Sequence, residues 1–226
     1  MKNIYFIIGC IFLLTISCSI KSNSKSVAIN ENVIVSKDTM NDKNEVLNDF
    51  LGTKTEGQSK KIVILSEKIN INTTLKWLLH NDIYAVDPVT LEIKNKDSEF
   101  FRDFEWEIAR EKYSKNFTVL DIKSRTYDNG TCCWSAENFT YQNLIFEEVK
   151  IGSPAYIKKY LLKNLDYEYY SFSDPIFYKN NSYLVFSFTH GSTRTITIHS
   201  SNLIIYKKQN NGKWIQTHIG NPDFLS

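Results

Sequence analysis

The sequence predicts an α+β domain in which N-terminal helices pack on a C-terminal antiparallel β-meander. Apolar residues recur at helical spacing in several segments between residues 44 and 162, whereas short alternating segments follow from residue 166. Asn, Gly and Ser residues separate those later segments, as is typical of tight turns. Because a sheet must cover its apolar face, the upstream helices are expected to pack on the meander.

The N-terminus has the layout of a cleaved signal peptide. Lys2 precedes an apolar run from Ile4 to Leu14, which is too short for a bilayer span of about 20 residues. The four residues that end at Cys18 resemble the lipobox of bacterial lipoproteins, in which the cysteine carries a diacylglycerol. This resemblance implies a signal peptide at residues 1–17 and lipidation at Cys18, with palmitate among the acyl chains. An uncleaved anchor and an ordinary secretory signal are the alternatives.

Residues 18–43 are expected to form the acylated cysteine and a flexible tether. This stretch is rich in Ser, Asn, Lys and Asp and contains almost no aromatic residues. It therefore cannot bury enough apolar surface to offset the entropy lost on ordering. Residues 44–226 are predicted to be one α+β globular domain.

Helices are predicted where apolar side chains share one face and a capping residue precedes them. They span Asn44–Leu51, Thr73–His80, Ser98–Tyr113 and Pro154–Leu162. Thr73 or Thr74 is the expected N-cap of the second helix. Ser153 is the expected N-cap of the fourth, with Pro154 at the first helical position.

The third predicted helix has the most regular pattern in the chain. Ser98 is its expected cap, and Phe101, Phe104 and Ile108 form a stripe expected to face the core. A column of acids lies on the opposite face, at Asp103, Glu107 and Glu111. Such a column could serve acid–base chemistry, but a solvated polar face is the expected interpretation.

Strands are predicted from short apolar or alternating runs. Upstream of the meander they span Lys61–Leu65, Phe117–Ile122 and Leu144–Ile151. The meander strands are Tyr167–Phe172, Ile176–Tyr178, Tyr183–Thr189, Thr195–His199, Leu203–Lys208 and Lys213–His218. Turns at 191–193, 200–202 and 209–212 place one apolar set on a single face. This set is Phe186, Phe188, Ile196, Ile198, Ile204, Tyr206 and Ile215.

The four histidines do not predict a metal site. In the expected register His199 and His218 lie roughly 9–10 Å apart, because a strand separates them. Nitrogens that share a zinc ion at about 2.0–2.1 Å cannot be so distant. His190 lies at the other end of its hairpin and His80 lies in an upstream helix. We therefore expect satisfied or exposed histidines, no metal and no cofactor.

Cys132 and Cys133 are a candidate thiol site. Adjacent α-carbons are about 3.8 Å apart, below the usual range for a disulfide, so a bridge between them would be strained. Two buried reduced thiols, a redox-labile bridge and a thiol that reacts with a partner are the three interpretations. Burial is favoured, because free cysteine behaves as a small hydrophobe.

Tyr167 and Tyr169 are a candidate binding patch. Alternation along Tyr167–Phe172 directs these two side chains toward the surface and Tyr170 and Phe172 toward the core. An exposed pair of tyrosines could form an aromatic platform for a glycan, whereas a rim around the core is the simpler interpretation.

Several segments resemble uncharacterised envelope lipoproteins of bacteria. They are the lipobox-like N-terminus, residues 46–51, residues 134–139, residues 173–185 and residues 211–214. The resemblance implies a lipid-anchored domain in the bacterial cell envelope, facing the periplasm or the surface, and it implies no activity, cofactor or site residue.

The predicted function is a non-enzymatic binding or structural module of the envelope. A net charge of +2 does not indicate a nucleic-acid partner. The expected partners are the membrane, through the lipid, and an envelope protein or a glycan. An envelope hydrolase or thiol-redox enzyme is the alternative. A largest pocket that gathers a histidine and carboxylates, or that places Cys132 or Cys133 beside a histidine, would favour the enzyme. Thiols buried among Phe and Leu, with no histidine within hydrogen-bond reach of a carboxylate, would favour the module.

Overall fold

A mixed nine-stranded β-sheet dominates the part of the chain that the structure describes. The computed structural model describes residues 40–55, 61–113, 133–141, 143–195 and 197–221. The strands are β1 (Ile62–Leu65), β2 (Asp82–Val86), β3 (Ile93–Lys96), β4 (Leu144–Glu147), β5 (Glu168–Phe172), β6 (Ile176–Tyr178), β7 (Tyr183–Ser192), β8 (Thr197–Lys208) and β9 (Trp214–Asn221). Their order is β3-β2-β9-β8-β7-β5-β1-β4, and β6 also pairs with β7.

Parallel pairing occurs at one side of the sheet. β1 lies between β4 and β5 and is parallel to both, whereas the other pairs of strands are antiparallel. Ile62 and Ile64 face one side of the sheet and Val63 faces the other, and all three are fully buried. Burial on both faces explains why β1 is a continuous apolar run.

Helices cover both faces of the sheet. They are α1 (Met40–Thr55), α2 (Ile71–His80), α3 (Asp103–Tyr113) and α4 (Pro154–Tyr156), and α4 continues as a π-helical segment over Ile157–Leu161. A 3₁₀ turn spans Ala136–Asn138. α1 packs on one face through Val46, Leu47, Phe50 and Leu51. α2 and α3 share a second apolar cluster on the other face, and α4 covers a third cluster.

The predicted fold class is wrong. Only α1 precedes all of the strands, whereas α2, α3 and α4 are inserted between strands and pack on the face opposite to α1. The meander β7–β8–β9 exists but forms only the middle of a larger mixed sheet. The sheet extends further because β2 and β3 add to β9, and β5, β1 and β4 add to β7. The pairings of β2 with β9 and of β1 with β4 and β5 join residues far apart in sequence, so local patterns did not predict them.

The predicted helices at the first, second and fourth positions are confirmed. α1 begins at Met40, so residues 40–43 belong to a helix and not to the predicted tether. Asn70 caps α2 by accepting a hydrogen bond from the Asn72 amide, in place of Thr73 or Thr74. Ser153 caps α4 through the Tyr156 amide, with Pro154 at the start of the helix as predicted.

The third helix begins five residues later than predicted and buries a different face. The Asp97 side chain accepts a hydrogen bond from the Glu99 amide at 3.0 Å, and this turn precedes the helix. Trp106 and Ala109 are buried, whereas Phe104 is 73% exposed and Ile108 is 44% exposed. The indole of Trp106 donates to the Leu75 carbonyl at 2.9 Å, which fixes this orientation on α2.

The predicted register of the meander is only partly correct. β8 is one continuous strand from Thr197 to Lys208, so the predicted turn at 200–202 does not form. Phe186 therefore pairs with Ile204 and not with Ile198. Tyr206 pairs with Gln216 and not with Ile215.

Only some of the predicted core residues of the meander are buried. Four of the predicted core residues are buried, namely Phe186, Phe188, Ile204 and Tyr206. Ile198 is 52% exposed and Ile215 is half-buried, so these two predictions are wrong. Ile196 and the predicted strand Phe117–Ile122 lie outside the described residues.

The turn at 209–212 is confirmed. The Gln209 amide donates to the Lys213 carbonyl at 2.8 Å, and the Gly212 amide donates to the Gln209 carbonyl at 2.9 Å. Gly212 has a φ of +84°, which glycine adopts at little cost because it has no Cβ atom.

Candidate functional site

A cleft of about 290 Å³ opens between α2 and the segment at residues 148–151 that follows β4, on the sheet face that α2 and α4 cover. α2 packs on a cluster around Val185, Leu203 and Ile205, and α4 packs on a cluster around Val63 and Tyr169. The sheet between these two clusters carries mainly hydroxyl side chains. The cleft therefore lies where the two helices leave the sheet uncovered.

The cleft combines an apolar wall with a hydroxyl floor. Leu65, Trp77 and Val149 contribute the wall, and the floor includes Thr189 and Ser201. These two hydroxyl oxygens lie 3.3 Å apart and bond each other. A concave apolar surface with a few polar groups is the usual form of a small-molecule site.

Two of the charged side chains that line the cleft, Lys68 and Glu147, are paired within the protein. Lys68 is nearly buried, with its ammonium 2.9 Å from an Asp174 carboxylate oxygen and 4.2 Å from the centre of the Trp134 ring. The Glu148 and Lys150 side chains lie at the exposed rim. A ligand within the cleft would therefore contact mainly apolar and hydroxyl groups.

Glu147 is a buried carboxylate at the carboxyl end of β4, on the wall of the cleft. Its side chain accepts hydrogen bonds from the Tyr160 hydroxyl, from Lys159 at 2.6 Å and from the Val149 amide at 2.9 Å. Burial by itself raises the pKa of Glu147, but these three donors outweigh it and hold the pKa below the usual value. A carboxylate that stays ionised suits positioning and binding better than proton transfer near neutral pH.

A second concavity, the groove, lies at the amino ends of β1 and β5 and has a volume of about 680 Å³. Lys61, Asp166, Glu168, Arg194 and His199 line it. His199 reaches the groove through a β-bulge in β8. His190 pairs with Ser200 and Gly191 pairs with Ile198, which leaves His199 as the extra residue.

The bulge brings two histidines together beside the groove. The rings of His190 and His199 lie 5.3 Å apart in an edge-to-face arrangement. Burial lowers the pKa of His190, although Glu168 opposes this effect from 3.6 Å. The described residues contain no group of three or more His, Cys, Asp or Glu side chains arranged to hold a metal ion.

His218 forms a second histidine site on the opposite side of the meander. Its Nε2 lies 3.2 Å from an Asp97 carboxylate oxygen, and its Nδ1 lies 2.9 Å from the Thr217 hydroxyl. Thr217 is the extra residue of a bulge in β9, because Ile205 pairs with His218 and Tyr206 with Gln216. Burial lowers the pKa of His218 more than Asp97 raises it.

The cysteine and tyrosine candidates occupy positions that differ from the predicted ones. Cys133 is exposed and disulfide-bonded, so the prediction of a buried reduced thiol is wrong for this residue. Cys132 and Cys18 lie outside the described residues. Tyr167 is half-buried and lines the groove, whereas Tyr169 is 2% exposed and lines the cleft. The two tyrosines therefore do not form one exposed platform.

The acidic side chains of α3 form a polar face, which is the interpretation that the sequence analysis favoured. Asp103 and Glu111 are exposed, and Glu107 accepts a hydrogen bond from Arg110 at 2.7 Å. The sequence analysis did not name Glu147 as a site residue, although an acid at the end of an apolar strand is a feature visible in the sequence. The pairs His190–His199 and His218–Asp97 had no such feature, because each depends on strand pairing.

No helix among the described residues is long and apolar enough to cross a membrane. Searches against protein-family models, curated proteins and solved structures found no match to the chain. Its function is therefore inferred from the geometry of its own cleft, groove and histidine sites.

Proposed function

We propose that the chain is a lipid-anchored protein of the bacterial cell envelope whose folded domain is a non-catalytic binding module. The binding module is supported by the cleft beside α2, with its apolar wall and hydroxyl floor, and the lipid anchor by the lipobox-like residues that end at Cys18. Glu147 supports binding, because its lowered pKa keeps it ionised and bonded to three donors. A group held in this way does not exchange protons readily near neutral pH.

The ligand expected in the cleft is a small, uncharged and mainly apolar molecule. The volume of about 290 Å³ is near the lower limit of ligand sites, which begin at about 300 Å³. A charged ligand would lose its hydration in the cleft, where the Lys68 and Glu147 charges are already paired, and this desolvation is unfavourable. Hydroxyl groups on Ser171 and Ser201 could orient a single polar group of the ligand.

Replacing Ile198 by lysine should weaken binding of the neutral fluorescent probe phenylnaphthylamine. Ile198 lines the cleft and is 52% exposed, so the change should leave the fold intact. The loss of apolar contact and the added charge should reduce affinity by about fivefold or more. A fluorescence titration measures the dissociation constant.

Val89→Lys is the matched control, because Val89 is 87% exposed in the turn between β2 and β3. The control should bind the probe as tightly as the wild type. Equal weakening in both variants, or no binding by the wild type, would contradict the assignment of the cleft.

The lipid anchor is tested separately, by labelling cells with radioactive palmitate. The wild type and a Cys10→Ala variant should incorporate the label, whereas Cys18→Ala should not, because acylation requires the thiol of the lipobox cysteine. Label retained by Cys18→Ala would exclude this site. A wild type without label would exclude the lipoprotein assignment.

Two features that the sequence analysis associated with an enzyme are present. The groove gathers His199 with Asp166 and Glu168, and His218 has a carboxylate partner in Asp97. In the groove, Asp166 already accepts a hydrogen bond from Ser192, and Glu168 accepts one from Tyr170, both at 2.8 Å. Among the described residues His199 has no carboxylate within hydrogen-bond distance, so this combination supports catalysis weakly.

A hydrolase is the second candidate. It is favoured by the two hydrogen bonds that link the Asp97 carboxylate, the His218 ring and the Thr217 hydroxyl. In such a hydrolase the Thr217 hydroxyl would attack an ester carbonyl while His218 takes its proton, and Asp97 would stabilise the imidazolium. The ester C–O bond would then break as His218 returns the proton to the leaving alcohol, and water would hydrolyse the acyl-threonine by the same route. Hydrolysis of a chromogenic ester by the wild type and by His80→Asn, but not by His218→Asn, would favour this candidate over the binding module.

A further inference from the structure

We propose that the groove is a second binding site, for a ligand that carries a phosphate group. It is distinct from the cleft, because the two lie at opposite ends of β1. Leu65 at the carboxyl end lines the cleft, whereas Lys61 and Ile62 at the amino end line the groove. The proposal therefore does not depend on the ligand of the cleft.

Two cationic side chains in the groove are free to bind an anion. Lys61 and Arg194 are exposed, and neither has an ion-pair partner among the described residues. They come from separate parts of the fold, the start of β1 and the turn between β7 and β8. A guanidinium and an ammonium that converge on one concavity are typical donors to phosphate oxygens.

The acids of the groove already have internal partners. Asp166 accepts a hydrogen bond from the Ser192 hydroxyl, whose oxygen also accepts one from the Arg194 amide at 3.1 Å. Glu168 accepts a hydrogen bond from Tyr170 and lies 3.6 Å from the His190 ring. These contacts tie both carboxylates to the protein, whereas the two cations keep their donors free.

His199 supplies a third donor at the same place. The bulge in β8 adds His199 to the groove, and its imidazole is exposed. An imidazole can donate a hydrogen bond to a phosphate oxygen, and its protonated form adds a charge. Lys61, Arg194 and His199 therefore line one concavity from three different segments and offer it hydrogen-bond donors, which suits a phosphate group with several acceptor oxygens.

A metal ion fits the groove less well than a phosphate group. Among the described residues no three His, Cys, Asp or Glu side chains are arranged to hold a metal ion, and both carboxylates of the groove already accept hydrogen bonds from the protein. The phosphate could belong to free inorganic phosphate or to the headgroup of an anionic lipid. Both sources present the same oxygens to the groove.

The test is a titration of the full-length chain with two soluble probes, followed by the NMR signals of the His199 ring and the Arg194 amide. The probes are inorganic phosphate and glycerophosphoglycerol, which is the deacylated headgroup of phosphatidylglycerol. At least one probe should shift both signals in a saturable manner. The double variant Lys61→Gln/Arg194→Gln should bind that probe about tenfold more weakly or worse, because it loses two charged donors.

The control Lys163→Gln/Lys213→Gln removes the same charge at two exposed positions outside the groove. This control should bind like the wild type. Tighter binding of inorganic phosphate identifies a free phosphate as the ligand, and tighter binding of the headgroup identifies a lipid source. Shifts by neither probe, or equal weakening in the two double variants, would overturn the proposal.

Discussion

Truncating Phe186 to alanine should lower the free energy of unfolding by about 3–5 kcal/mol, as is typical of a fully buried phenylalanine. The side chain is 0% exposed. Its ring lies 5.5 Å from Phe50 of α1, 6.2 Å from Phe172 and 6.3 Å from Tyr206. The substitution removes these contacts and leaves a cavity between α1 and the sheet. Urea denaturation followed by circular dichroism measures the difference.

Phe104→Ala is the matched control for this prediction. The sequence pattern predicts that Phe104 faces the core, but the side chain is 73% exposed on α3. Its truncation should therefore change the free energy of unfolding by about 0.5 kcal/mol or less. A loss at Phe104 as large as that at Phe186 would show that α3 packs through the face that the sequence pattern predicts.

Replacing Glu147 by alanine should destabilise the domain by about 3 kcal/mol, because it leaves buried hydrogen-bond donors without an acceptor. Tyr160 is 1% exposed, so its hydroxyl cannot turn to water without moving α4. Lys159 is largely exposed and can return to solvent, so most of the loss should come from the tyrosine and the Val149 amide. Chemical denaturation at neutral pH measures this difference.

The effect of Glu147 should also depend on pH. Its pKa is lower in the folded state than in the unfolded chain, where it is near the ordinary value of 4.5. The stabilisation is therefore fully present above that value and is lost as the pH falls through the folded-state pKa. The difference between the wild type and Glu147→Gln should shrink across this acidic range.

Glu148→Gln is the matched control, because Glu148 is the exposed neighbour of Glu147. Its free energy of unfolding should follow that of the wild type at every pH. If the two glutamine variants have the same pH dependence, the ionised Glu147 carboxylate does not stabilise the fold through its hydrogen bonds.

Local signals in the sequence predict most of the helices because their physical basis is local. In α1 the buried residues Val46, Leu47, Phe50 and Leu51 recur at the spacing of one helical face. In α4, the Ser153 hydroxyl accepts a hydrogen bond from the Tyr156 amide, and Pro154 has no amide hydrogen that needs a partner in the first turn. These features act within a few residues, so they are readable without the fold.

The buried face of α3 was not predictable in this way. Phe101, Phe104 and Ile108 compete with Trp106, Ala109 and Tyr113 for the core, and both sets have helical spacing. The choice depends on α2, because the Leu75 carbonyl accepts a hydrogen bond from the Trp106 indole. A partner from a different segment thus decides which of two equivalent stripes is buried.

The turn predicted at residues 200–202 lies within β8 and does not form. Ser200, Ser201 and Asn202 are typical of a turn, yet they lie in a strand where they pair with His190, Thr189 and Phe188 of β7. The hydrogen bonds of the long hairpin override the local preference, because strand propensity depends on context. The same pairing introduces the bulge at His199, and a one-residue change of register moves side chains to the other face.

By itself, the sequence determined the segments that form α1, α2, α4 and most of the strands, and four of the residues that the meander buries. Only the tertiary structure decided the parallel pairing of β1 with β4 and β5 and the insertion of helices on both faces. It also decided the cleft, the groove and the pair His218–Asp97. Each of these features joins residues far apart in the chain. Their contacts form only when the whole sheet forms, because the free energy gained there must offset the entropy lost on closing long loops.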